Sequence, residues 1–123
     1  MKSTRFEDIE AWKKARVLMN RIYEVMKSPA FSNDRDLQRQ LRRASTSIMS
    51  NIAEGFDGGS DPEFRRFLRI AKRSATEVKS HLYVALDQGY VVQQTFNELY
   101  EMVSEVQKVI GGFIRYFRGP AKN

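Results

Sequence analysis

The chain has 123 residues, enough for one compact domain with one core and too few for two. It contains no Cys, which excludes disulfides and thiolate metal sites, and no apolar run approaches the roughly 20 residues of a membrane span. A formal net charge of +6, with 29% of residues charged, points toward anionic partners, nucleic acid among them.

The first residues, MKSTRFEDIEAW, hold no apolar stretch of signal-peptide type, so the expected location is cytoplasmic. The first helix is expected over about 7–27. Trp12, Ala15, Met19, Ile22, Tyr23 and Met26 recur on one side of it. Ser28-Pro29 breaks it, because proline disfavours helix at the preceding residue. A second helix is expected over about 33–55, on Leu37, Leu41, Ala44, Ile48 and Ile52, with Ser32 or Asn33 as its cap. It is expected to stop at Gly55, which with Gly58 and Gly59 forms the second break. Ser60-Asp61-Pro62-Glu63 is a capping box that opens a third helix over about 61–88. Phe64, Phe67, Leu68, Ala71, Ala75, Val78, Leu82 and Leu86 form its apolar stripe, and Gly89 has the position of a C′ glycine. The fourth, over about 93–117, starts without a good cap at Val92-Gln93. Its Phe96, Leu99, Val103, Val106, Ile110, Phe113 and Phe117 follow the heptad spacing of coiled-coil-like packing. Gly119-Pro120 is expected to end the ordered part. Short connections make successive helices neighbours. The expected fold is one all-α domain over 1–123, an antiparallel up-down-up-down four-helix bundle.

Two helices carry more apolar surface than one core needs. On the fourth, Tyr116, Val109, Met102 and Phe113 extend the stripe through Ile110 to Ile114 and Tyr100, an arc of roughly 200°. On the first, Val25, Leu18 and Ala11 widen it to about 160°. Scattered surface apolars are the plain alternative, but a surplus this wide points to self-association. Gly111-Gly112 interrupts the fourth helix at a cost of about 1 kcal/mol per glycine. Continued periodicity through Phe113, Ile114 and Phe117 favours close approach of another backbone there over a break.

Polar residues form two constellations. On the second helix Arg43, Ser47, Ser50 and Glu54 fall on one line, flanked by Gln40 and Asn51, while Ala44, Ser45 and Ala53 keep the helix slim. This groove either recognises a partner or is a hydrogen-bonded seam that fixes helix register. The packing reading comes first, since buried polar networks specify packing. On the third helix Arg65, Arg66, Arg69, Lys72 and Arg73 cluster in RRFLRIAKR, over about 12 Å and opposite the apolar stripe. Arg39, Arg42 and Arg43 add charge on the second. Such a surface tracks phosphates or is simply a solvated face, and repetition in an oligomer would add avidity. Tyr83 lies beyond the basic run and reads as interfacial rather than as a stacking platform.

Catalytic signals are poor. His81 stands four residues after Glu77, without the paired Glu-x-x-His motifs of di-iron bundles, and there is no zinc ligand set and no Cys nucleophile. Gly58-Gly59-Ser60 lacks the phosphate-loop pattern, and Asp61 and Glu63 would oppose phosphate. The expectation is no enzyme, no metal and no cofactor.

One group of residues carries a family resemblance. It comprises Phe6 with Trp12 and Ala15, Gln40-Leu41-Arg42-Arg43-Ala44, Ser47-Ile48, Asn51-Ile52-Ala53-Glu54-Gly55, Phe64, Phe67, Leu68, Ile70-Ala71, Ser74-Ala75 and Gly89-Tyr90. With these the chain resembles, over nearly its whole length, the bacterial four-helix bundle proteins encoded by intervening sequences in 23S rRNA genes. The resemblance implies a ring-shaped homopentamer and no enzymatic activity. The chain is also similar in architecture to accessory proteins of diversity-generating retroelements, which bind nucleic acid and a reverse transcriptase. It departs from the pattern in its weak cap at Val92 and in Asp57-Gly58-Gly59, where a more basic loop would stand, which speaks against RNA contact through that loop. The expected function is a non-enzymatic oligomeric bundle that binds RNA or DNA through basic helix faces. The alternative is a protein-interaction scaffold that uses the groove of the second helix or the wide arc of the fourth.

Overall fold

Side-chain caps open two of the long helices in the computed structural model, which describes residues 5–117. A single 3-10 turn, Phe6–Asp8, precedes α1 (Glu10–Met26), α2 (Pro29–Ser32), α3 (Arg35–Asp57), α4 (Asp61–Asp87) and α5 (Gln93–Phe117). There is no strand among the described residues. The break expected at Gly119-Pro120 lies outside them.

Both ends of α4 fall where the sequence places them, with half of the capping box formed, since the Glu63 carboxylate accepts from Arg66. The Ser60 side chain accepts from the Glu63 N–H at 3.3 Å. At the other end Gly89 has φ +78°, and the N–H groups of Gly89 and Tyr90 reach the carbonyls of Leu86 and Ala85 at 3.0 and 2.8 Å. This is the paired bonding of a Schellman ending.

Four boundaries differ from expectation. Helix α1 starts at Glu10 rather than near residue 7, because Ile9 is extended (φ −76°, ψ 125°) after the 3-10 turn. The cap of α3 is Asp34, which accepts from the Leu37 N–H at 3.0 Å, rather than Asn33 or Ser32. The hydroxyl of Ser32 is turned to the carbonyl of Pro29 instead. The break at Ser28-Pro29 contains one helical turn, α2, which places Phe31 in the core. Gly55 does not stop α3. It is a buried residue inside the helix, which continues to Asp57, and the positive φ of the turn falls at Gly59. A Cβ on Gly55 would lie 2.5 Å from the Cβ of Phe67, so this glycine lets α3 and α4 touch.

Each long helix buries one stripe in a shared core. Leu18 and Ile22 of α1, Leu41, Ile48 and Ile52 of α3, Leu68, Val78 and Leu82 of α4, and Leu99, Val103 and Ile110 of α5 are almost fully buried. Helix α3 packs on α1 and α4, and α5 packs on α4 and α1. Along α3, rising residue numbers meet falling ones on α4: Arg43 with Glu77, Ser47 with Ser74, Gly55 with Phe67. Between α4 and α5, Phe64 meets Phe117 and Tyr83 meets Phe96. Helices α1 and α5 are tied by a two-pronged ion pair, in which Arg21 donates to both carboxylate oxygens of Glu98 at 3.0 and 2.8 Å.

Candidate nucleic-acid interface

The polar line of α3 divides along its length. At its centre, Ser47 Oγ and the buried Ser74 Oγ share a hydrogen bond of 2.9 Å across the α3–α4 contact. The Asn51 amide donates to the Ser47 carbonyl at 2.8 Å and to Ser47 Oγ at 3.0 Å. This is a satisfied seam between two helices. Toward the start of the helix, Arg43 reaches Glu77 at 3.4 Å, and Glu77 Oε2 also lies 3.3 Å from His81 Nε2. Ser50 and Glu54 are exposed, Gln40 is half-buried, and Ser50 donates only to the Ser47 carbonyl. The line therefore joins α3 to α4 at Ser47 and Asn51 and opens to solvent at Ser50 and Glu54.

The eight basic residues do not form one surface. Arg39 pairs with Asp36, Arg43 with Glu77, and Arg66 with Glu63 at 3.1 Å, its guanidinium 4.6 Å from the centre of the Phe67 ring. Arg65 turns to the end of α5 and donates to the carbonyl of Phe117 at 3.0 Å. That bond satisfies a terminal helix carbonyl and leaves the residue half-buried. Arg42 stands about 100° around α3 from Arg43. It shares its flank with Gln38, whose amide donates to the carbonyls of Met26 and Phe31, so it faces the α1 side of the molecule.

Arg69, Lys72 and Arg73 are left. They line one open recess with Thr76 and, from α5, Ile114. Among the described residues, none of the three side chains has an ion-pair partner, and all three are exposed. Gln107 of α5 ties the two helices here by donating to Thr76 Oγ1 at 2.9 Å and to the Lys72 carbonyl at 3.4 Å.

The same flank of α4 continues into a group of rings that the charge pattern did not reveal. Lys79 Nζ sits 4.5 Å from the centre of the Tyr100 ring. Tyr83 packs on Phe96 at 4.8 Å and on Tyr100 at 6.0 Å, yet remains 50% exposed. The signal was present in the sequence: Lys72, Thr76, Lys79 and Tyr83 are spaced four, three and four apart, the spacing of one helix face.

On the opposite side of α5 the surplus apolar surface is only partly covered. Val17 is 60% exposed and Tyr116 59%, while Met102, Val109 and Phe113 are half-buried. Two neighbouring recesses run along this α1–α5 face, one lined by Lys13, Val17 and Met102 and the other by Val109, Gly112 and Phe113. Gly111 is buried and Gly112 half-buried, and each leaves room for a methyl group among the described residues. A Cβ there would meet only the Arg115 guanidinium, at 3.6 and 4.0 Å. Among the described residues, no group of three or more His, Cys, Asp or Glu side chains could hold a metal ion, and no helix is long and apolar enough to cross a membrane.

Residues 7–112 match the family described as 23S rRNA-intervening sequence protein. Among solved structures, the chain is similar to a protein of unknown function from the S23 ribosomal protein family of Bacteroides thetaiotaomicron. The TM-score is 0.76 and the identity 23%, over 85% of this chain and 98% of that one, a likeness of fold. No curated protein matches.

Proposed function

We infer that the chain, which belongs to the 23S rRNA-intervening sequence protein family, is a non-enzymatic, self-associating helical bundle that holds nucleic-acid phosphates on the outer flank of α4. The observation that carries this reading is the trio Arg69, Lys72 and Arg73, three exposed cations without acidic partners along one recess. Their charge is not spent on internal pairs, so phosphate binding there releases counterions and gains the corresponding free energy. Contacts of this kind position a nucleic acid with little base readout.

The opposed residue numbering along α3–α4 and α4–α5 supports an antiparallel up-down-up-down bundle. The partly uncovered apolar α1–α5 face, with the half-buried Gly112 in one of its recesses, supports self-association. A homopentameric ring is the assembly that the family resemblance implies. In it the α4 trio would repeat around the ring and gain avidity.

A labelled structured RNA titrated at about 50 and 200 mM salt tests the reading. Three neutralised phosphates per protomer predict a loss of about 40-fold in affinity for a duplex region, and more where several protomers engage. Absence of binding at low salt, or binding indifferent to salt, overturns it. The second reading, a protein-interaction scaffold, draws on the same apolar α1–α5 face, and a protein partner retained at high salt in place of RNA would favour it.

A further inference from the structure

We propose that the nucleic acid held on α4 is single-stranded and that Tyr83 is the platform on which one of its bases stacks. The proposal rests on the nucleic-acid reading above and names its substrate class.

Arg69, Lys72, Thr76, Lys79 and Tyr83 follow one another at intervals of three or four residues, so they form a single track along the flank of α4 that borders α5. Contacts from α5 confirm this placement at three levels: Gln107 at Thr76, Tyr100 at Lys79, and Phe96 at Tyr83. The unpaired cations occupy one end and the exposed ring the other. At about 1.5 Å per residue, Lys72 and Tyr83 are roughly 16 Å apart along the helix and Arg69 and Tyr83 roughly 21 Å. A strand of a few nucleotides spans that length.

The state of the Tyr83 ring favours this ligand. A tyrosine held only for the core would bury its ring and expose its hydroxyl. Here half the residue's surface is open, while the ring packs on Phe96 and Tyr100. A ring held by its neighbours and reachable from solvent loses little entropy when a base stacks on it. A duplex cannot use that face, because its bases are already stacked inside, whereas a single strand offers every base. Lys79, seated over Tyr100, puts a further cation between the trio and the ring, as a strand with alternating phosphates and bases requires.

The test compares three ligands by fluorescence anisotropy at low salt: a mixed-sequence strand of about twelve nucleotides, the same strand with abasic sites, and its duplex. Each is titrated against the unaltered protein, Tyr83→Ala and Tyr83→Phe. Tyr83→Ala is expected to weaken the single strand by about 5- to 150-fold, the worth of one stacked base, and to leave the duplex unchanged. Tyr83→Phe keeps the aromatic face and retains the affinity of the unaltered protein. The abasic strand loses affinity for the unaltered protein but no longer differs from the intact strand in Tyr83→Ala. Single-strand binding unchanged in Tyr83→Ala, or a duplex bound more tightly than the strand, overturns this proposal and leaves phosphate binding standing. Loss of assembly in Tyr83→Ala, seen by light scattering, also overturns it, since a second copy would then cover the ring. If no form of nucleic acid binds, both this proposal and the reading beneath it fall.

Discussion

Gly55 and Phe67 face each other so closely that a Cβ on the glycine would stand 2.5 Å from the Cβ of the phenylalanine. Gly55→Ala gains about 1 kcal/mol in helix propensity. It also forces overlap at a helix contact, where overpacking costs about 1–3 kcal/mol. A net loss of about 1 kcal/mol is expected, read as a fall of several degrees in the melting temperature by circular dichroism. Because the overlap is with a Cβ, Phe67→Leu will not relieve it. An unchanged or raised melting temperature in Gly55→Ala would show that α3 and α4 part there for no more than the roughly 1 kcal/mol that helix propensity returns.

Asp34 serves two connections at one end of the bundle. One carboxylate oxygen caps α3 at the Leu37 N–H, and the other accepts from the Tyr90 hydroxyl at 3.0 Å, beside the packed rings of Phe31 and Tyr90. Asp34→Ala should cost about 0.5–2 kcal/mol through the lost cap. The same contact makes stability depend on pH. The hydrogen bond to Asp34 is the main cause that raises the Tyr90 phenol above its ordinary value, followed by burial. The folded state thus favours the neutral phenol. Its contribution is complete below the unfolded value near about 10 and fades as pH climbs through the higher folded value. Urea midpoints followed from about pH 8 upward should fall less steeply in Tyr90→Phe than in the unaltered chain, and equal slopes would show that Asp34 does not hold the phenol.

The fold was legible where one residue had one role. Ser60 and Gly89 bracket α4 because a hydroxyl cap and a left-handed C′ residue leave clear marks in the sequence. Gly55 misleads because a glycine that ends a helix and a glycine that admits a neighbour look alike, and only Phe67 tells them apart. At the start of α3, Ser32, Asn33 and Asp34 are all capable caps in a row, and burial of Phe31 decides between them. The basic surface was legible as composition but not as geometry. Glu63, Asp36 and Glu77 lie close enough in the chain or in space to consume three arginines, and the Phe117 carbonyl takes a fourth. Tyr83 joins the trio only when its face is traced through Lys79 and Thr76.

The Arg21–Glu98 pair links α1 to α5, and its effect belongs to the acid side. Hydrogen bonds from Arg21 are the main cause that lowers the Glu98 carboxyl below its ordinary value. The contribution is therefore present above the unfolded value near about 4.3 and is lost as pH falls through the lower folded one. The Glu98 side chain is 46% exposed, so solvent screening holds the effect below about 1 kcal/mol. Glu98→Gln should flatten a shallow loss of stability below about pH 4.3 at low salt, and the difference should vanish at about 1 M salt. A difference that persists in high salt would point to packing rather than charge.

Gly111 and Gly112 separate the needs of one chain from those of an assembly. Within the chain both have room for a methyl group. Alanine at either position should then stabilise α5 by about 1 kcal/mol, visible as a higher melting temperature in dilute solution. If copies meet along the α1–α5 face, the methyl at Gly112, which lines the open recess, stands between two backbones, while the one at the buried Gly111 does not. Gly112→Ala is then expected to lower the molar mass seen by light scattering at micromolar concentration while raising helicity. Assembly that survives in both variants would move the contact away from these glycines.

Position, rather than total charge, is the claim made for Arg69, Lys72 and Arg73. Arg42 shares the unpaired state but faces the α1 side, on the flank set by the bonds of Gln38 to Met26 and Phe31. Two triple variants with equal change in net charge separate the ideas: Arg69, Lys72 and Arg73 to Glu on α4, and Arg35, Arg39 and Arg42 to Glu on α3. Glutamates in the second set fall in the first half of α3, and its first turn tolerates negative charge well. Only the α4 variant should lose RNA binding, and with it a salt slope of about two to three in log–log units. Circular dichroism checks that both variants keep their helices. If both lose affinity alike, the field of the whole protein steers the ligand and the α4 recess holds no special place. If the α3 variant alone loses affinity, the phosphate track lies along α1 and α3, and α4 with its aromatic end faces something else.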